Sequence, residues 1–113
     1  LVELNTTAAM LRALIHKTAW QMDKYGAFSV SDQVSMCNYI GNRLCCDAAD
    51  RAMQTHGGLG YSRHKPFEHI YRHHRRYRIT EGAEEIQMRR IAGYMFGYMK
   101  QQAPKGVKSV TGK

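Results

Sequence analysis

Long apolar runs, proline and acidic side chains are all scarce in this 113-residue sequence. No stretch reaches the roughly 20 consecutive apolar residues that a membrane-spanning helix needs, so we expect no membrane insertion. Proline occurs only twice, and no segment shows the apolar–polar alternation of a half-buried strand. The short length favours one domain. These absences favour a small helical domain.

Acidic residues are outnumbered, with 9 Asp+Glu against 17 Lys+Arg and a formal net charge of +8. Such a surplus is typical of proteins whose partners carry phosphate, namely nucleic acid, an anionic membrane or a nucleotide-like ligand, and a plain soluble basic surface is the alternative. Arginines and tyrosines alternate over 71–78, but no recognised nucleic-acid motif accompanies them. We therefore expect no nucleic-acid partner, and an exposed or interface helix is the alternative.

Metal and disulfide chemistry are also poorly supported. The three cysteines, Cys37, Cys45 and Cys46, form no CxxC pair and are odd in number, which predicts small, buried, reduced thiols. His69 and His73 have the i,i+4 spacing of metal ligands, but arginines surround them and no HExxH motif is present. We therefore expect no metal site.

Apolar residues recur with a period close to 3.6 in four segments, each closed by glycine or opened by a capping residue. This pattern predicts an all-α, up-down antiparallel helical bundle. The predicted helices cover 3–25, Ser29 to Gly57-Gly58, 66–75 and 82–101.

The helix starts and domain bounds follow from the same pattern. Ser29 or Ser31 is the expected N-cap of the second helix, and Thr80 that of the fourth. We assign 1–102 to the bundle and 103–113, rich in Gly and Lys, to a disordered basic tail. The second helix is expected to bury a stripe of apolar and small residues, at Val30, Val34, Cys37, Ile40, Gly41, Leu44, Cys45, Ala48 and Ala52.

The segment "THGGLGYSRH", residues 55–64, combines three glycines with positive charge. Gly57, Gly58 and Gly60 can take positive φ and leave amide N–H groups free to bind an anion such as phosphate. An ordinary helix–loop–helix turn is the alternative.

Glu81 lies in "RITEGAEEIQ", just before or at a helix start and followed by Gly82. A structural carboxylate is common there, because helix N-termini stabilise anions. A general base is the alternative, and Gly82 would leave open space beside it.

Together these motifs resemble the C-terminal helical domain of the acyl-CoA dehydrogenases. The resemblance runs from about Val30 to Ala92 and is weaker over the first helix. Its elements are a helix ending in AxQxxGGxGY, a proline opening a short helix with YR, and an EG step into a helix with EIQxxxIA. These correspond here to Ala52, Gln54, Gly57, Gly58, Gly60, Tyr61, Pro66, Tyr71, Arg72, Glu81, Gly82, Glu85, Ile86, Gln87, Ile91 and Ala92.

The resemblance implies a flavoenzyme that dehydrogenates an acyl-CoA thioester between its α and β carbons. Gln54, Gly57 and Gly58 would then contact the ADP part of FAD bound mainly by a neighbouring subunit. Glu81 would remove the α-proton, while the β-hydrogen leaves as hydride to FAD, and Gly82 would contact substrate. It further implies a homo-oligomer (dimer or tetramer), electron-transferring flavoprotein or a similar acceptor, and a bacterial cytoplasmic or mitochondrial matrix location.

Several positions depart from the family pattern, at Thr80, Ala83, Glu85, His73 and Gly93. The Thr and Gln that many members carry near the flavin are replaced here by Ala83 and Glu85. We expect the chain to be an N-terminally truncated piece of a longer enzyme and inactive alone. A catalytically silent helical oligomerisation or interaction module of the same fold is the alternative.

Overall fold

Helices account for the architecture of the part of the chain that the structure describes. The structure is a computed structural model, and residues 1–99 are described. No strand occurs among these residues, so the predicted all-α class is confirmed. The predicted tail, 103–113, lies outside them. The α-helices are α1 (Val2–Tyr25), α2 (Ser31–Tyr61), α3 (Phe67–Arg75) and α4 (Glu84–Met95), with short 3-10 turns at Ala27–Val30 and Arg76–Arg78.

α1 and α2 pack side by side in opposite directions. Thr18 Oγ1 lies 3.8 Å from Cys37 Sγ. About two turns before Thr18, Leu11 Cδ2 lies 3.5 Å from the point that a β-carbon on Gly41 would occupy. Earlier residues of α1 therefore meet later residues of α2, which defines an antiparallel pair. A β-carbon on Gly41 would make an ordinary van der Waals contact with Leu11, so the two helices leave room for one there.

α3 runs back along the C-terminal half of α2. At its start, the rings of Phe67 and His56 are 4.7 Å apart. Beyond its end, the backbone carbonyl of Tyr77 accepts a hydrogen bond of 3.2 Å from Asn42 Nδ2. This order confirms the predicted up-down arrangement and brings the start of α4 to the middle of α2.

The predicted helix caps are wrong. Val30 occupies the N-cap position of α2 and no side chain caps that helix, while the Ser29 hydroxyl donates to the Gly26 carbonyl. α4 begins at Glu84 with Ala83 before it, and the Thr80 hydroxyl donates to the Arg76 carbonyl instead. In each case the hydroxyl donates to a nearby backbone carbonyl and does not cap the helix. Serine and threonine often form such local hydrogen bonds in turns.

The fourth helix is shorter than the predicted 82–101. α4 ends at Met95, and Gly97 follows with φ 76°. The Met99 amide donates to the Gly93 carbonyl at 2.9 Å. A left-handed glycine followed by such a bond is a common helix terminator. The apolar pattern beyond Met95 therefore does not belong to the helix.

The buried face of α2 differs from the predicted stripe. Val34, Cys45 and Ala48 are exposed, whereas Ser35, Cys46 and Ala49 are buried. The prediction that all three cysteines are buried holds only for Cys46, because Cys45 is exposed and Cys37 is half-buried. α2 contacts α1, α3 and α4, so it buries different sides along its length. A single stripe describes a helix with one packing face, which α2 is not.

Gly60 is the glycine on which local packing depends most. A β-carbon there would lie 2.6 Å from the Met53 carbonyl oxygen. We expect Gly60→Ala to lower the free energy of unfolding of the full-length protein by about 1–3 kcal/mol, the usual cost of overpacking. Chemical denaturation measures it. Gly41→Ala is the control, since its β-carbon meets ordinary contact; an equal loss in both variants would contradict this account.

Candidate functional site

The C-terminal end of α2 bends at one glycine. Gly57 has φ 58° and ψ −141°, while the residues on either side of it are helical. Only glycine adopts this conformation without strain. The predicted positive φ at Gly58 and Gly60 is wrong, because neither is among the left-handed residues of the described chain. One left-handed residue suffices to turn the chain, and a helical turn then resumes.

Each of the three glycines has its own physical reason. Gly57 provides the bend, and Gly60 provides the close approach to Met53. A β-carbon on Gly58 would meet nothing within 4 Å. Neither backbone conformation nor packing among residues 1–99 therefore requires a glycine at position 58. What its missing side chain leaves is open space.

Gly58 also lines a groove of ≈ 1000 Å³ between the end of α2 and α3. Gln54, Gly57 and Gly58 all line it, so the structure brings together the three residues predicted to contact FAD. Three arginines of α3 and of the 3-10 turn that follows it line the same groove, together with two carboxylates. Among these residues the charge is therefore positive. The charged lining residues are Arg72, Arg75, Arg76, Asp50 and Glu68.

The other predicted site residue, Glu81, has an unusual backbone. It is exposed, and its φ of 58° makes it the single non-glycine residue with positive φ among those described. Gly82 follows with φ 90°. Left-handed conformations are uncommon outside glycine and occur often at functional sites. The loop 79–83, which carries both residues, is held in a strained shape between Arg78 and α4.

A buried carboxylate lies at the foot of this loop. Glu84, whose side chain is 10% exposed, accepts paired hydrogen bonds from two arginines. Arg43 of α2 approaches with Nε and Nη2, both at 3.0 Å. Arg78 approaches with Nε at 2.9 Å and Nη2 at 3.1 Å. We name Arg43, Arg78 and Glu84 the Glu84 clamp.

The clamp keeps Glu84 ionised. Hydrogen bonds from Arg43, and then from Arg78, lower its pKa from the ordinary 4.5 to about 2, outweighing the opposite effect of burial. The same pairing raises the pKa of both arginines. A carboxylate whose pKa is lowered by folding stabilises the folded state at any pH above its pKa in the unfolded chain. This contribution is lost as the pH falls from about 4.5 towards about 2.

Glu81 and the groove are separate features of this chain. Ile79 lines the groove, but Glu81 and Gly82 do not. The predicted base therefore does not lie in the groove of the predicted dinucleotide contacts. Sequence reasoning gave no role to Arg43 or Glu84 and considered Arg78 only as part of the basic stretch 71–78. Arg43 precedes Glu84 by 41 positions and belongs to no motif, so their pairing left no signal.

The histidine-rich face of α3 forms no recognisable metal site. The rings of His69 and His73 stack with centroids 6.3 Å apart. Within residues 1–99, no three or more His, Cys, Asp and Glu side chains are grouped so that they could hold a metal ion. In the same part of the chain, no helix combines the length and the apolar character that crossing a membrane requires.

Comparison with known proteins agrees with this fold and these motifs. A family model described as "Acyl-CoA dehydrogenase, C-terminal domain" matches residues 1–96. The chain therefore belongs to the acyl-CoA dehydrogenase family and contains its C-terminal helical domain.

Individual relatives are enzymes named for acyl-CoA chemistry. The probable acyl-CoA dehydrogenase FadE2 of Mycobacterium tuberculosis is 38% identical over 72% of this chain and 20% of its own length. (R)-Benzylsuccinyl-CoA dehydrogenase of Thauera aromatica is 35% identical over 73% of this chain and 20% of its own. Subunit CarC of the caffeyl-CoA reductase-Etf complex of Acetobacterium woodii is 26% identical over 84% of this chain and 24% of its own length. The chain thus spans about a fifth to a quarter of these relatives.

The groove fits the phosphate part of a dinucleotide. Gly58 leaves a space that a β-carbon would begin to fill, and the surrounding arginines favour an anion. Gln54 adds an amide that can donate and accept hydrogen bonds. The residues present are therefore suited to FAD, the cofactor that the resemblance implies.

Proposed function

We propose that this chain is the C-terminal part of a flavin-dependent acyl-CoA dehydrogenase, in which Glu81 removes the α-proton of the substrate. The observation that carries the proposal is the left-handed, exposed Glu81 followed by Gly82. A carboxylate kept in a costly backbone conformation is better explained by reactivity than by helix capping, since Ala83 occupies the N-cap position.

The proposed chemistry uses Glu81 as a general base. An α-C–H bond beside a thioester is a weak acid, so the carboxylate needs a site from which water is excluded and where the carbonyl is polarised. Gly82 is assigned the contact with substrate, although the expected open space at its missing side chain is filled by Gln87 Nε2, which would lie 2.8 Å from a β-carbon there. FAD, when bound, accepts the β-hydrogen together with its electron pair. The proton goes to Glu81, and a double bond remains between the α and β carbons of the thioester.

Gln54, Gly57 and Gly58 are assigned a different role, contact with the ADP part of FAD held mainly by a neighbouring subunit. The separation of their groove from Glu81 supports this division of roles. Glu81 would then work with the FAD of its own subunit, while the groove contacts the FAD of the neighbouring subunit. Exposed apolar side chains of α1, among them Met10, Ile15 and Trp20, support a homo-oligomer, dimer or tetramer.

Further partners follow from the same proposal. The substrate is an acyl-CoA, and electrons pass to electron-transferring flavoprotein or a similar acceptor, which the Etf in the name of the Acetobacterium relative supports. The bacterial cytoplasm or the mitochondrial matrix is the proposed location. Neither nucleic acid nor membrane insertion has a role in this function.

The FAD assignment is tested by Gly58→Val in the full-length protein. Valine favours helices more than glycine does, and position 58 is helical, so helix content and unfolding should be unchanged. The branched side chain would occupy the groove, and we expect FAD to dissociate about 10- to 100-fold more readily, as for overpacking of 1–3 kcal/mol. Flavin absorbance after dialysis measures this.

Ala48→Val is the matched control, because Ala48 is exposed on α2 and lies outside the groove. It should retain FAD as the parent does. Equal FAD retention in Gly58→Val and Ala48→Val would remove the dinucleotide role from the groove.

A further inference from the structure

The Glu84 clamp has a function beyond joining α2 to α4. We propose that Glu84, held by Arg43 and Arg78, is a positioning residue that fixes the loop 79–83 and thereby aims Glu81 at the substrate. This inference rests on the proposed role of Glu81 as base. It assigns a task to three residues that the family motifs of the sequence leave unused.

The clamp closes the loop at both of its feet. Arg78 is the last residue before the loop and Glu84 is the first residue after it. Their two hydrogen bonds, of 2.9 and 3.1 Å, join the feet directly. Because a paired Arg–carboxylate contact fixes orientation as well as distance, the span available to residues 79–83 is set by this pair.

Arg43 ties the closed loop to the rest of the bundle. It lies on α2 and binds both oxygens of Glu84 at 3.0 Å. Next to it, Asn42 Nδ2 donates to the Tyr77 carbonyl at 3.2 Å. The loop is therefore fixed against the middle of the longest helix, and its feet cannot shift without breaking several charged or polar contacts.

The middle of the loop is also held by a hydrogen bond from α4. Gln87 is buried, and its Nε2 donates to the Gly82 carbonyl at 3.2 Å. A β-carbon at position 82 would lie 2.8 Å from that same nitrogen. A left-handed Glu81 persists only when its surroundings enforce it. The clamp holds the two ends of the loop, and Gln87 holds its middle.

Stability alone is a weak reason for such a cluster. A buried carboxylate between two arginines loses hydration, and similar clusters can be replaced by apolar side chains without loss of stability. The clamp instead fixes the geometry on both sides of a proposed catalytic base. General-base catalysis depends steeply on that geometry, because misplacement by about 1 Å can cost about 100-fold in rate.

The test uses the full-length, FAD-loaded protein with butanoyl-, octanoyl- or palmitoyl-CoA, whichever it oxidises fastest, and ferrocenium as acceptor. We expect Glu84→Gln to lower kcat by about 100-fold, with KM and FAD content unchanged. The kinetic isotope effect with α-deuterated substrate should rise, since proton removal becomes slower. A merely structural defect lowers the amount of active protein and leaves the isotope effect as it was.

A second pair of variants keeps the test decisive if Glu84→Gln fails to fold. Arg78→Lys and Arg43→Lys retain the charge but lose the paired contact. Arg78→Lys should reduce kcat more than Arg43→Lys, because only Arg78 adjoins the loop. Asp47→Asn, an exposed carboxylate on α2, is the control and should behave as wild type.

A double variant separates this inference from the proposed function. If Glu84 acts through Glu81, adding Glu84→Gln to Glu81→Gln causes no further fall in the residual rate. A further fall of about 100-fold would overturn the positioning role. Full activity of Glu84→Gln and Arg78→Lys beside an inactive Glu81→Gln would overturn it while leaving the base in place. Full activity of Glu81→Gln itself would instead refute the proposed function.

Discussion

Glu81→Gln in the full-length protein is expected to lower kcat for acyl-CoA oxidation by about 100- to 10,000-fold, the range that a general base contributes. Glutamine has nearly the same shape as glutamate but cannot accept the α-proton. FAD should stay bound, because Glu81 does not line the groove of Gln54, Gly57 and Gly58. Steady-state oxidation with ferrocenium and flavin absorbance measure the two quantities separately.

Glu3→Gln is the control for this experiment, since Glu3 is an exposed carboxylate in the first turn of α1. It should oxidise substrate as the parent does. Undiminished turnover by Glu81→Gln would place the base on another residue. Absence of any acyl-CoA oxidation by FAD-loaded wild type would favour the catalytically silent interaction module instead.

Local sequence signals predicted the main features of the fold. The bounds of α1 and α3 agree with the predicted 3–25 and 66–75 to within one residue. Helical periodicity and glycine or proline punctuation are properties of neighbouring residues, so a single sequence reveals them. Gln54, Gly57 and Gly58 were grouped by the family resemblance, and they line one groove because they lie within two turns of one helix end.

Features that depend on several helices at once were not predictable in this way. The buried face of α2 changes along its length as α1, α4 and α3 contact it in turn, so the stripe containing Val34 and Cys45 was wrong. The partnership of Arg43 with Glu84 joins residues of different helices. No periodic pattern encodes that contact, and only the packing of α4 on α2 brings the side chains together.

The structure also changes the reason for the glycine at position 58. A positive φ would have made any substitution there a folding defect. Instead the bend is made by Gly57 and the close approach by Gly60, which leaves Gly58 with a helical backbone and open space beside it. Gly58 is thus the position where ligand contact can be altered with the least effect on the fold, and this makes a subunit-exchange experiment feasible.

Hybrid oligomers of Glu81→Gln and Gly58→Val chains are expected to regain activity that neither variant has alone. If the groove serves the FAD of a neighbouring subunit, the Gly58→Val chain retains its own base and receives an intact groove from its Glu81→Gln partner. One of the two sites in each pair is then complete, and we expect about half of wild-type turnover. Hybrids isolated through two different affinity tags and dialysed against FAD-free buffer, as in the test of Gly58→Val, measure it.

The reciprocal hybrid provides the control. A chain carrying both changes is paired with a wild-type chain, so the wild-type base must rely on a blocked groove from its partner, and the pair should be inactive. If the groove instead serves FAD in its own chain, the two outcomes exchange: the first hybrid is inactive and the reciprocal hybrid has about half of wild-type turnover. The comparison thus decides which subunit the groove of Gln54, Gly57 and Gly58 serves, because both hybrids contain the same number of altered residues.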